Sequence, residues 1–143
     1  EYPSSNRLVG WETSPSIKFK EYKKMTFHVK SDDNKYEIFS IKGMLDYPNN
    51  INECLVKKEQ IIDTIKNHIN YENTYSYEDD FGNKIGKSIA YITDFDLSDG
   101  SAIRVWCSTW DKKNETAKYW TDTLNVGAGS KLWFDFLQNE AYK

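Results

Sequence analysis

Polar and apolar residues alternate along most of this chain, with one long interruption. From Lys24 to Lys30, Met25, Phe27 and Val29 fall on one side and Lys24, Thr26, His28 and Lys30 on the other. A period of two belongs to a strand with one buried and one wet face. Ser16 to Lys20 repeats the pattern, with Ile17 and Phe19 against Lys18 and Lys20. Tyr36 to Met44 is apolar on both sides, which predicts a more central strand. Thr74 to Glu78, carrying Tyr75 and Tyr77, reads as an edge strand. The interruption runs from Ile51 to Ile69. Its apolar positions Cys54, Leu55, Ile61, Ile62, Ile65 and Ile69 recur at helical spacing, and Lys57, Glu59, Asp63 and Lys66 form the wet side. Pro48 breaks the chain just before it, and Asn50 and Glu53 are spaced as a capping box.

Two β-rich runs between Lys87 and Asp111 flank Ser98-Asp99-Gly100-Ser101, a hairpin signal. This hairpin is expected at the centre of an antiparallel sheet. On its second arm Ile103, Val105, Cys107 and Thr109 form the core side, and Arg104, Trp106, Ser108 and Trp110 the other. Lys118 to Val126 alternates again, with Trp120, Leu124 and Val126 on one face, and Gly127-Ala128-Gly129 is expected to end that strand. Ser130 then caps a short helix over Lys131 to Asn139. Residues 1–15, rich in Pro, Ser and Gly, predict an N-terminal arm with a short strand at Leu8 to Glu12 and Trp11 as its packing plug. A single domain over 16–143 follows. The fold class is α+β: an antiparallel sheet of about five to seven strands, one long helix packed across a face, and a short C-terminal helix.

Composition narrows the function classes. The 143 residues are 38% hydrophobic but 15% aromatic, so Tyr, Trp and Phe carry much of the burial. The net charge of −3, with only Arg7 and Arg104 as arginines, argues against nucleic acid as the partner. No run of apolar residues is long enough to span a membrane. The chain starts at Glu1 without Met, and the expectation is an exported protein, periplasmic or extracellular, whose signal peptide has been removed.

Candidate chemistry is sparse. Cys54 lies on the apolar stripe of the helix and Cys107 on the core side of the hairpin, so both point into one helix–sheet interface. That favours a disulfide over two buried thiols. A nucleophilic role for Cys107 needs a neighbouring base, and neither His28 nor His68 is tied to it by spacing. Asp94, Asp96 and Asp99 resemble the start of a calcium loop, but Asp99 and Val105 occupy the positions that such a loop gives to Gly and Glu. No zinc ligand set and no Gly-rich phosphate loop exist, and no cofactor is implied. Asn114-Glu115-Thr116 is a glycosylation sequon.

What remains is the second side of the hairpin, where Arg104, Trp106 and Trp110, joined by Trp120 or Tyr91, make either a surface covered by the arm or the final helix, or an aromatic binding platform. Cys54 early in a helix, Gly100, Ile103-Arg104-Val105, Cys107 followed by Trp110-Asp111, and the ending Phe136-Leu137 with Asn139-Glu140-Ala141-Tyr142 resemble a group of short, uncharacterised, exported bacterial proteins. That resemblance implies export and pairing of the two cysteines, and no activity. The leading expectation is a non-enzymatic exported binding or interaction module for a protein or carbohydrate ligand, with Arg104, Trp106, Trp110 and Trp120 as its binding residues. The alternatives are a small hydrolase using carboxylates such as Asp94 and Asp96, and a structural subunit of a phage or cell-surface assembly.

Overall fold

The computed structural model describes residues 7–14, 21–32, 34–35, 37–81, 86–113 and 120–141, and among these seven strands and two helices follow one another. Strands β1 (Leu8–Thr13), β2 (Lys24–Lys30) and β3 (Ile38–Asp46) precede helix α1 (Ile51–His68). Strands β4 (Asn73–Asp79), β5 (Ile89–Asp96), β6 (Ala102–Thr109) and β7 (Thr123–Gly129) come next, and helix α2 (Lys131–Asn139) closes the chain. Every pairing is antiparallel, in the order β1-β2-β3-β7-β6-β5-β4. The α+β class, the long helix across the sheet and the short final helix are therefore as the periodicity predicts.

Helix α1 starts where Asn50 accepts a hydrogen bond from the backbone N–H of Glu53, satisfying one of the free donors of the first turn. It lays Cys54, Ile62 and Ile65 against Phe95, Val105, Cys107 and Leu124 to form the main core. Cys54 and Cys107 are joined by a disulfide, with Cα atoms 6.1 Å apart. The stripe also holds a lysine, four residues after Cys54. Lys58 is only 5% exposed, and its ammonium donates to Thr93 Oγ1 at 2.9 Å, itself hydrogen-bonded to Ser76 Oγ. A long aliphatic stem lets a lysine fill an apolar stripe provided its head finds a partner.

Several expectations need correcting. The hairpin β5–β6 is beside the centre of the sheet, and the central strand is β7, between β3 and β6. Gly127-Ala128-Gly129 does not end β7 but completes it, because Gly129 still pairs with Ser40 and Ala102. Trp120 lies before the strand and packs on Trp110, not with Leu124 and Val126 on the α1 side. Tyr91 pairs with Cys107 and so belongs to the α1 side, away from Trp106. Ile69 is the C-cap, outside the helix and 39% exposed. Trp11 is no plug: it sits on edge strand β1 at 65% exposure, and Leu8 is the buried anchor of that strand. The expected strand at 16–20 and the sequon at 114–116 lie outside the described residues.

Candidate functional site

Register decides what the second face of the sheet displays. Residues paired across strands point to the same side. One row across that face reads Glu12, Thr26, Lys42, Gly127, Arg104, Asp94, Tyr75; the next reads Lys24, Met44, Asn125, Trp106, Ile92, Tyr77. Helix α1 is on the opposite side. Helix α2 covers one end only, where Trp133 stacks on His28 with ring centroids 4.0 Å apart and Phe136 packs with Leu8 and Phe39. A bulge between His28 and Val29 lets both Phe39 and Ser40 be buried there, and Gly129 clears the space, since a Cβ on it would lie 2.5 Å from Trp133.

Beyond α2 the face carries two cavities, although Ser108, Thr123 and Asn125 on it are buried. A cavity of about 430 Å³ is lined by Thr26, His28, Lys42, Arg104, Trp106 and Trp133, among others. A second, of about 460 Å³, is lined by Lys24, Lys42, Trp106, Trp110, Trp120 and Asn125, among others. Lys42 and Trp106 border both, so the two cavities adjoin at these side chains and are described together as a groove. Its far wall is an aromatic stack: Phe81 on Trp110 at 5.4 Å, and Trp110 against Trp120 at 4.5 Å and 52°. Thr26, Ser108, Thr121, Thr123 and Asn125 add hydroxyl and amide groups. A Cβ on Gly127 would be 3.7 Å from both Lys42 and Trp106, so the bare glycine backbone lies between them.

Three of the four binding residues expected from sequence, Trp106, Trp110 and Trp120, thus come together around one cavity. Arg104 borders the neighbouring one, but its guanidinium is committed. It donates from Nε to Asp94 Oδ1 at 2.7 Å and from Nη2 to Asp94 Oδ2 at 2.8 Å, and Tyr77 also donates to Asp94 Oδ2. The carboxylate holds the guanidinium charged more firmly than usual, and burial raises the Tyr77 phenol. Asp94 is buried beneath this network and Asp96 accepts from Tyr75, so the two acids are spent on side-chain pairing.

Sequence reasoning missed Lys42 and His28. Burial, helped by the charge of Lys42, drives the His28 imidazole down to about 4, and its Nδ1 shares a 2.6 Å hydrogen bond with Ser40. Burial also lowers the Lys42 ammonium, with Glu12 and Lys24 acting in opposite directions. Among the described residues no group of three or more metal-ligating side chains forms. Among the described residues no helix is long and apolar enough to cross a membrane. Compared with known proteins, the chain matches no family model, no curated protein and no solved structure.

Proposed function

We propose that this chain is a non-enzymatic, exported binding module that takes a carbohydrate on the second face of its sheet. The observation that carries the reading is the groove itself: indole walls above a floor of hydroxyls and amides. A sugar ring has an apolar C–H face and a polar rim. It stacks on an indole and offers its hydroxyls to the half-buried Thr26 and Thr121, above the buried Ser108, Thr123 and Asn125. A docked protein helix instead wants a continuous aliphatic strip, which these side chains interrupt. The buried disulfide supports an oxidising compartment and hence export. The carboxylate-hydrolase reading gains little, since both oxygens of Asp94 are already occupied.

The test replaces Trp106 and Trp110 by Ala and screens the native and variant chains against a library of immobilised glycans. Each variant is expected to keep the native circular dichroism and a cooperative unfolding transition. Each should lose at least about tenfold in affinity, the scale of a binding hot spot. Variants that no longer fold would place the indoles in the core and end the proposal.

A further inference from the structure

The cations on the second face are not alike. Lys23 is paired with Asp46, Lys24 with Glu12 at 2.9 Å, and Arg104 with Asp94. The Lys42 side chain alone among these four has no hydrogen bond or ion pair among the described residues. The register explains why. The cross-strand neighbours of Lys42 are Thr26 and Gly127, whereas the neighbour of Arg104 is a carboxylate. Lys42 is half-buried where the two cavities adjoin, and the bare backbone of Gly127 lies between its Cβ and Trp106. A half-buried cation forgoes water, and it recovers that loss only when an anion arrives. Burial lowers the Lys42 ammonium, and the carboxylate of Glu12, in the same row but paired with Lys24, offsets this only in part.

We propose that the ligand of this groove is an acidic saccharide, whose carboxylate or sulfate group is received by Lys42 while the sugar ring stacks on the neighbouring indoles. This rests on the carbohydrate reading above and adds the charge of the ligand. A lysine is a point charge and accepts either kind of acid group, so the structure assigns the anion and the experiment assigns its source.

The experiment follows the indole N–H resonances of Trp106, Trp110 and Trp120 by NMR. The chain is titrated separately with sodium glucuronate, glucose 6-sulfate, the neutral methyl ester of glucuronic acid, glucose and sodium acetate. At least one of the two acidic sugars is expected to bind at least about tenfold more tightly than the neutral sugars, the scale of a charge-assisted hydrogen bond. The tighter of the two identifies the acid group. Lys42→Met should erase that preference and Lys42→Arg should keep it. Equal affinity for acidic and neutral sugars, or a preference that survives Lys42→Met, would overturn the inference and leave the carbohydrate reading standing. Acetate binding as tightly as glucuronate would overturn it too, leaving a simple ion site. Silence with all four sugars would instead sink the carbohydrate reading.

Discussion

His28 shows how one side chain carries both packing and a pH response. In an unfolded chain its imidazole titrates near 6.5, but burial and the nearby Lys42 lower it to about 4 in the fold. Above pH 6.5 both states are neutral and the shift changes nothing. As pH falls from 6.5 towards 4 the unfolded state takes up a proton that the folded state refuses, so stability falls; below about 4 the loss is complete. Solvent screening of a half-exposed ring holds that loss to about 1–2 kcal/mol. Urea titrations from pH 7 to pH 4 check it. The His28→Phe variant should keep the stack on Trp133 while removing the dependence of stability on pH that His28 contributes. An unchanged slope would assign the acid sensitivity to other groups. At this scale the sequence was legible only in part. Trp106, Trp110 and Trp120 stood out by their type. Lys42 looked like any lysine, because only the register tells which cation faces a carboxylate and which faces a threonine and a glycine. Lys58 belonged to no assigned side for a related reason: its spacing from Cys54 and Ile62 is that of the stripe, but polarity masked it, and the Thr93 hydroxyl that receives it is far along the chain.

Among the elements, those with an unbroken period were legible, and the strand that closes on two glycines was not. Strand β2 has the bounds that strict alternation predicts, and α1 starts where its cap and spacing place it. Strand β7 was misread, because Gly127-Ala128-Gly129 looks like punctuation while its backbone goes on pairing with β3 and β6. Its glycines serve the neighbours. Gly129 lets α2 lie on the sheet, so that Trp133 can reach His28 and Phe136 can reach Leu8 and Phe39. A methyl group there would overlap Trp133 at 2.5 Å, and the indole is held on its other contacts by His28 and Phe136. Gly129→Ala is therefore expected to cost about 1–3 kcal/mol, the range of an overpacked contact. Hydrogen exchange should show the loss as faster exchange in α2 and not in α1, which rests on the other face. A variant as stable as the native chain would mean that α2 can slide without cost.

At the scale of the whole molecule, chain order and sheet order disagree, and the disulfide bears on that disagreement. Strands β1 to β3 are local to one another, and β4 to β7 form a second meander. The two halves join through the ladder in which Asp46 pairs with Thr123 and Ser40 with Gly129, with α1 bridging between them. Such distant pairings must close a long loop before any contact rewards them. The bond between Cys54, in the first turns of α1, and Cys107, in β6, lies 53 residues apart in sequence and removes part of that entropy from the unfolded chain. In the loop-entropy account this is worth about 4 kcal/mol, a large share of the stability of a domain this size. Both cysteines are fully buried, so a reductant reaches the bond only when the helix leaves the sheet. Two outcomes follow. Under native conditions the chain should show no alkylatable thiol and should resist dithiothreitol, and reduction should set in only as urea approaches the unfolding midpoint. The Cys54→Ala, Cys107→Ala double variant should lose about 4 kcal/mol in the same titration, with cavity formation adding to the loss. Rapid reduction of the folded chain would mean that α1 opens locally while the sheet stays intact. A loss below about 1 kcal/mol would mean that the unfolded chain already holds the two halves together.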